Sequence, residues 1–415
     1  MAARRKAGAN NFIGYTLKRY QPDRSRNLKI LLYKWKVFNQ QDIKSALERA
    51  GHTVEFFQSV KFERERELEI VNKLAEVFSE YDLIFSVNYF QEVSKACMEA
   101  GKKYISWTVD SPMLTMYHKS VYNSCNYIFI FDKFSFCRFK ALGLKHVYYM
   151  PLAADARRLE TLIETSDKAE RERFYGEISF VGGLYDKNSY DDVSDKLTPY
   201  LRGYFDAAFQ AQMDLFGENI FDRLLTVDVL AQLSECVELK QDKDSMSDLK
   251  LVFTNTFLGY KMAQLERIEC LNRLARTAQV NLFTDDPDSG RLFGVRLRGT
   301  VSYLYDMPKV FANSKINMNF TIRNIRSGLP LRVWDVLGAG GFLLTNFQPE
   351  ILSFFENGKD LVYYESLDDM CRKARYYLEH EDERRQIAKS GHEKVKKYHS
   401  YDARIKEILR LAEVE

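Results

Sequence analysis

From Leu28 to Met150, short apolar runs alternate with amphipathic segments. The apolar runs have the length of buried strands, and the segments between them repeat apolar residues at helical spacing. Gly51 marks the end of the first such helix. Strands that alternate with helices in this way predict a doubly wound parallel sheet. The predicted strands are Leu28–Leu32, His52–Phe57, Asp82–Val87, Lys103–Val109 and Asn126–Phe131.

The alternation returns in the second half of the chain, after a charged segment at about residues 155 to 175. Between the first strand of this half, at Ile178, and the next, at Val280, helical patterning fills residues 197–277, which is longer than an ordinary crossover. The pattern therefore predicts an α/β protein in two parts, 28–165 and 175–395, with a helical insertion at about 197–277 in the second. A basic N-terminal extension, residues 1–27, precedes them.

Composition narrows the class of protein. The chain has 415 residues, 46% of them apolar and 29% charged, which suits two folded domains. Its 61 basic and 58 acidic residues leave a net charge of +3, too balanced for a nucleic-acid binder. The cysteines and histidines are scattered, so we expect reduced thiols and no metal site. With no apolar stretch of about 20 residues and no signal peptide, a cytoplasmic location is expected, and peripheral membrane contact stays open.

The residues that follow the predicted strands are the candidates for chemistry, because ligands of doubly wound sheets lie beyond the carboxyl ends of the strands. Asp110 directly follows the strand Lys103–Val109 and is our candidate general base. An Asp-Ser-Pro sequence also suits a simple turn or helix cap, and that alternative stays open. Trp35, Asn88 and Tyr89 follow other strands and could shape an acceptor pocket or serve packing alone.

In the second half, two loops suggest phosphate binding. Gly182 and Gly183 follow a strand, where glycines let backbone amides approach a ligand, and Lys187 lies just beyond. A second loop after the strand at Ile316 carries basic side chains and leads into a helix, whose N-terminus favours anions. Arginine binds phosphate with two parallel hydrogen bonds, which suits a diphosphate leaving group. The candidates in this loop and helix are Arg323, Arg326 and Arg332.

The order of residues around that second loop resembles the donor site of GT-B glycosyltransferases, closest to the bacterial spore-maturation (CgeB-like) branch. The resemblance rests on Ser327-Gly328-Leu329-Pro330-Leu331-Arg332-Val333-Trp334-Asp335, then Gly340-Gly341-Phe342, then Asn346-x-x-Pro349-Glu350. It implies two Rossmann-like domains that face each other across a cleft, and a C-terminal helix, residues 396–415, that crosses back to the first domain.

The resemblance also implies roles for individual residues. Asp335 would accept hydrogen bonds from the ribose hydroxyls, and the amides of Gly328 and Leu329 would face the diphosphate. The segment from Gly299 to Val301 would touch the nucleobase, with Tyr303 just beyond it. Ser327 stands where many retaining enzymes have a glutamate, so one expected carboxylate contact to the donor sugar is missing.

The expected function is a metal-independent glycosyltransferase of the hexosyltransferase type, without a cofactor. Its donor would be a nucleotide diphosphate sugar, most simply a uridine one, and its acceptor a hydroxyl or similar group on a protein, a cell-surface glycan or another molecule. Whether the sugar's configuration is retained or inverted stays open. A GT-B nucleotide-sugar epimerase and a non-catalytic sugar-nucleotide-binding subunit are the alternatives. A dinucleotide-dependent oxidoreductase is disfavoured, because no predicted strand precedes Gly-x-Gly-x-x-Gly.

Overall fold

The computed structural model describes residues 27–58, 67–238, 243–286 and 290–414. These residues form two parallel six-stranded sheets, with strand orders β2-β1-β3-β4-β5-β6 and β12-β11-β10-β7-β8-β9. Helices surround both sheets, so the predicted fold class, two Rossmann-like domains, is confirmed. The predicted N-terminal extension lies outside the described residues except for its last residue, Asn27.

The first sheet is built from a regular alternation of strands and helices. Its elements are β1 (Lys29–Lys34), α1 (Gln40–Arg49), β2 (Thr53–Gln58), α2 (Glu67–Phe78), β3 (Leu83–Val87), α3 (Gln91–Ala100), β4 (Lys103–Trp107), β5 (Asn126–Ile130), α4 (Lys133–Ala141) and β6 (Val147–Tyr149). Every residue of β3 and β5 is buried, because helices cover both faces of the sheet. Helices α5 (Ala156–Glu164) and α6 (Lys168–Phe174) lead into the second sheet.

The second sheet contains a long helical excursion between its first two strands. After β7 (Gly176–Val181) come α7 (Ser189–Val193), α8 (Pro199–Met213), α9 (Phe221–Leu224), α10 (Val227–Cys236), α11 (Leu249–Val252) and α12 (Gly259–Ala275). The remaining elements are β8 (Val280–Phe283), β9 (Val295–Leu297), α13 (Met307–Asn313), β10 (Ser314–Asn319), α14 (Leu331–Gly338), β11 (Leu343–Asn346), α15 (Ile351–Phe354), β12 (Val362–Tyr364), α16 (Leu367–Glu379), α17 (Glu381–Tyr398) and α18 (Tyr401–Leu411).

Two of these strands were not anticipated. β9 and β12 each have three residues and lie at opposite edges of the second sheet. β9 is mostly exposed, and strands this short give too few residues for a periodic pattern. The segment at Leu297 was instead interpreted as the start of a turn. None of the described helices is long and apolar enough to cross a membrane.

The last helix returns to the first domain. The ring of Tyr401 packs edge-on against Trp107 at 5.9 Å between centroids, and both side chains are fully buried. Asp402 pairs with Arg49 of α1, and Lys103 Nζ donates to the carbonyl of Ala412 at 2.9 Å. The end of the described chain is therefore part of the core and surface of the first domain.

Helix α17 packs against α14 and the turn before β12 through a glycine that has no room for a side chain. A Cβ on Gly391 would stand 2.1 Å from the backbone oxygen of Asp360 and 2.9 Å from Leu337. We predict that Gly391→Ala lowers the free energy of unfolding by about 1–3 kcal/mol, since the backbone cannot move aside without repacking. Chemical denaturation measures the change.

Gly203 of α8 is the matched control, because it is also helical but has no atom within 4 Å of its ideal Cβ. Gly203→Ala is expected to stabilise the protein by up to about 1 kcal/mol. Equal effects of the two substitutions would contradict this account of α17 packing.

Candidate active site

A cleft of about 390 Å³ lies between the domains, at the carboxyl ends of strands from both sheets. The first domain supplies the residues after β1 and β4, and the second supplies those after β7 and β10 together with the start of α14. This is the position at which doubly wound sheets bind ligands. The predicted residues that line the cleft are Trp35, Asp110, Gly182, Gly183 and Arg332.

Asp110 is held in place by an asparagine from the neighbouring strand. Asn88 Nδ2 donates to Asp110 Oδ2 at 2.6 Å, while Asn88 Oδ1 accepts from the backbone amide of Val109 at 2.8 Å. Asn88 is fully buried and has a left-handed backbone, with φ of 67°. The carboxylate is accessible from the cleft, yet desolvation by the surrounding protein raises the pKa of Asp110, and the Asn88 hydrogen bond opposes that rise. The raised pKa and the fixed position of the carboxylate both suit a general base.

The glycine loop after β7 lies opposite Asp110 and is supported from below by a buried arginine. Arg267 Nη1 donates to the carbonyl of Gly183, and Nη2 donates to the carbonyl of Phe320 at 3.1 Å. Its guanidinium also stacks over the rings of Phe180 and Tyr185. The loop therefore has a positive charge directly behind it. Of its amides, that of Gly182 donates to the carbonyl of Phe283 and that of Leu184 to the carboxylate of Asp286, so the Gly183 amide is the one left for a ligand among the described contacts.

Arg332 lies in the first turn of α14 and reaches the cleft from the other side. Its guanidinium stands 5.1 Å from the ring centre of Phe311, and its Nη1 contacts the sulfur of Met307. Within the described chain it forms no ion pair with a carboxylate. Burial lowers the pKa of Arg332, although the nearby Asp335 opposes this. A desolvated arginine at a helix N-terminus is suited to receive phosphate.

Asp335 lies one turn further along α14, behind the cleft wall. Its Oδ1 accepts from the Tyr303 hydroxyl at 3.0 Å, and its carboxyl group is buried. Desolvation raises the pKa of Asp335 to about 7, with Asp42 adding to the rise and Arg332 opposing it. Arg158 binds Asp42 through two hydrogen bonds of 2.6 and 3.0 Å. In this conformation Asp335 and Tyr303 contact each other, and the ribose contact expected of Asp335 stays a prediction.

Arg323 is also placed away from the cleft. Its guanidinium is buried, 4% exposed, and pairs at 2.9 Å with Glu266 of α12, which is 2% exposed. The ring of Phe216 covers its other side. The phosphate contact predicted for Arg323 finds no support in this geometry, because a buried carboxylate already neutralises its charge.

The loop residues from Arg326 to Leu329 form an interdomain seam rather than the cleft wall. Arg326 Nη1 pairs with Asp222 at 2.6 Å. The Ser327 hydroxyl contacts Asp132 of the first domain at 2.7 Å, and a Cβ on Gly328 would lie 2.9 Å from the Cα of Asp132. Leu329 is buried in the core. Their predicted donor contacts find no support in this geometry, because the first domain already occupies the space in front of this loop.

Three further candidates lie outside the cleft wall. Lys187 is exposed beyond the glycine loop, and Gly299 is exposed with a left-handed φ of 71°. Val301 packs against the interdomain core. None of the three lines the cleft in the conformation described, so their predicted donor contacts find no support in its geometry.

Arg267 and the positioning role of Asn88 were missed from sequence. Arg267 and Glu266 share a helical stripe with the buried residues Met262, Ala263, Cys270 and Leu271. Charged residues on an apolar stripe are rare unless they are paired, and that pattern could have identified them. The described residues contain no group of three His, Cys, Asp or Glu side chains placed to hold a metal ion.

The raised pKa of Asp335 makes stability depend on pH. Between pH 3.8 and about 7 the folded protein binds a proton that the unfolded chain has lost, so stability falls as pH rises through this range. Asp335→Asn removes the titrating group. Thermal denaturation should therefore show the melting temperature of the variant, relative to wild type, rising by a few degrees from about pH 5 to about pH 8. The exposed Asp368, substituted the same way, serves as the control, and a pH-independent difference for Asp335→Asn would refute the assignment.

Comparisons with known proteins agree with this architecture. Residues 267–410 match the family model described as glycosyl transferase-like. Comparison of the sequence with curated proteins gives no match. Among solved structures, HepE from Anabaena in complex with UDP and glucose is 11% identical, with a TM-score of 0.54, and the match covers 92% of this chain and 99% of that one.

Two other glycan-related structures are similar over the same length. A glycosyltransferase from Rickettsia africae is 8% identical, with a TM-score of 0.55 and coverage of 94% of this chain and 98% of that one. Sucrose-phosphate synthase from Thermosynechococcus elongatus is 9% identical, with a TM-score of 0.52 and coverage of 93% and 98%. Identities this low show the fold alone. The chain therefore has the GT-B fold, and most of its second domain matches the glycosyl transferase-like family.

Proposed function

We propose that the protein is a glycosyltransferase that moves a sugar from a uridine diphosphate donor to a hydroxyl group of an acceptor. The match of residues 267–410 to a glycosyl transferase-like family supports the reaction class. HepE, which shares the fold, has been crystallised with UDP and with UDP-glucose, and this supports the donor class. A hexosyl donor, a cytoplasmic location and membership of the spore-maturation branch are further parts of the proposal.

One observation carries the proposal: Asp110 of the first domain faces the Gly182–Gly183 loop and Arg332 of the second across a single cleft. The diphosphate would lie at the glycine loop and the start of α14. Negative charge grows on that diphosphate as the bond between sugar and phosphate breaks, and Arg332 and the Gly183 amide would stabilise it. Arg267 adds positive charge behind the loop.

Asp110 would take the proton from the acceptor hydroxyl as its oxygen attacks the anomeric carbon. The new glycosidic bond forms while the bond to the diphosphate breaks, and UDP leaves with the electron pair. This route inverts the configuration of the sugar. The proposed reaction needs no cofactor or metal, because cationic side chains and amides perform the charge stabilisation.

Donor binding is testable without knowledge of the acceptor. UDP at about 100 times its Kd should raise the free energy of unfolding by about 2.7 kcal/mol, visible as a thermal shift. Arg332→Ala should weaken UDP binding by about 10- to 100-fold, because a charge-assisted hydrogen bond is lost. Arg326→Ala removes the same charge from the interdomain seam and should change the affinity by no more than about twofold. The reverse order would place the diphosphate at Arg326 and contradict its assignment to Arg332.

The role of Asp110 has its own test. Asp110→Asn should lower the transfer rate by about 10²- to 10⁴-fold and leave UDP affinity unchanged. Asn88→Gly keeps the left-handed backbone but removes the amide that lowers the pKa of Asp110, so the acid limb of the rate profile should move to higher pH. Loss of UDP binding in either variant, or an unmoved acid limb in Asn88→Gly, would contradict the assigned roles.

A further inference from the structure

A second cavity of about 210 Å³ adjoins the cleft at Asp110. The two spaces share Val109, Asp110, Ile322 and Ile325 in their walls, so a molecule in the second cavity would reach the carboxylate without crossing the diphosphate region. The volume lies below the roughly 300–1,000 Å³ of pockets for drug-sized ligands, which limits the occupant to about one ring.

The far wall of this cavity comes from the helical insertion, where the helix is irregular. Helices α11 and α12 are joined by a π-helical turn, Phe253–Leu258, so that one helical rod runs from Leu249 to Ala275. Such turns are rare and occur frequently at functional sites. Here the turn and the residues after it bring Asn255, Thr256 and Tyr260 to the cavity.

The turn is fixed to the loop after β10 by close contact. Asn324 Nδ2 donates to the carbonyl of Asn255 at 2.7 Å. The approach is possible because residue 259 is glycine: a Cβ there would stand 2.1 Å from Asn324 Oδ1. The cavity wall is therefore rigidly connected to the domain that would hold the donor.

Two hydroxyl groups in this wall have no hydrogen-bond partner in the described part of the chain. Thr256 Oγ1 and the Tyr260 hydroxyl line the cavity, remain accessible, and form no hydrogen bond with the described residues. The ring of Tyr260 is held by stacking on Tyr185 at 5.1 Å between centroids. Desolvation, with the charges of Tyr185 and Asp110, raises the pKa of Tyr260 to about 12, so its hydroxyl keeps its proton and can donate.

The charge in the cavity selects against anions. Asp110 is the carboxylate of the wall, and the wall contains no lysine, arginine or histidine. Met113, Leu114 and the two isoleucines provide apolar surface beside the hydroxyl and amide groups. A small site with apolar surface on one side and neutral hydrogen-bonding groups on the other fits the C–H face and hydroxyl rim of a sugar ring.

We infer that this cavity is the acceptor subsite, that its occupant is a neutral monosaccharide unit, and that Thr256 and Tyr260 determine acceptor specificity. The inference rests on the proposed function. The π-helical turn gives the donor domain a direct part in acceptor recognition, so acceptor and base come together only when the insertion is seated on the loop after β10.

Methyl glycosides of neutral hexoses are the probes, with UDP-glucose as donor and sugar phosphates and uronic acids as the anionic set. At least one neutral glycoside should increase UDP release saturably above the hydrolysis rate, and the anionic set should do so less well. Thr256→Val and Tyr260→Phe should each raise the KM for that glycoside about five- to tenfold, with UDP affinity and acceptor-free hydrolysis unchanged.

Thr254→Val is the matched control, because this neighbouring hydroxyl is buried and does not line the cavity. It should leave the KM unchanged. Saturation-transfer NMR of the same glycosides with UDP-bound protein gives a readout that needs no turnover, and the two cavity variants should lose the signal.

Better binding of anionic sugars, or wild-type glycoside binding in both Thr256→Val and Tyr260→Phe, would overturn the inference. Absence of any UDP binding would instead refute the proposed function. The two failures are therefore distinguishable.

Discussion

The carboxylate of Asp132 joins the two domains at the interdomain seam. Asp132 caps the N-terminus of α4 in the first domain, where it accepts from the Phe134 amide at 3.1 Å and from the Ser111 hydroxyl at 2.6 Å. The same carboxylate accepts from the Ser327 hydroxyl and the Arg326 amide of the second domain. A buried carboxylate that accepts hydrogen bonds from both domains fixes the separation of the domains at this point, because leaving any of these groups unpaired is costly.

The interdomain seam contains a second carboxylic acid, Glu350. The Ser327 hydroxyl lies 2.7 Å from Asp132 and 2.6 Å from Glu350, while Tyr149 donates to the other oxygen of Glu350 at 2.5 Å. A hydroxyl group has one proton and can donate to one of the two acids only. Burial raises the pKa of Glu350, and its hydrogen bonds to Ser327, Tyr149 and the Lys133 amide oppose the rise. The domains are joined here by a continuous chain of hydrogen bonds.

The fold could be predicted from sequence because each buried strand has a local signature. β3 and β5 are continuous apolar runs bounded by turn residues, and their order alone implies the sheet. The position of Asp110 and of Gly182 followed from the same reasoning, since any residue after a parallel strand lies at the ligand-binding edge. The parts of the site that depend on strand order could therefore be predicted from the sequence.

The arginine-rich loop could not be interpreted correctly because its partners are distant in sequence. Arg323 is neutralised by Glu266 and Arg326 by Asp222, both of which belong to the helical insertion. The sequence shows that three arginines are close together along the chain, but it does not show which of them pairs with a distant carboxylate. Arg332 reaches the cleft because α14 turns it away from the insertion, toward Phe311. Tertiary pairing thus separates residues that appear equivalent in the sequence.

The return of α18 to the first domain has a consequence for biosynthesis. Tyr401, Ile405, Ile408 and Leu409 belong to the same core cluster as Trp107 and the strands of the first sheet. A nascent chain that has completed β6 still exposes the apolar surface that these side chains cover. The first domain is synthesised before the second, but its core is complete only after α18 has been made. Until then its open surface is available to chaperones.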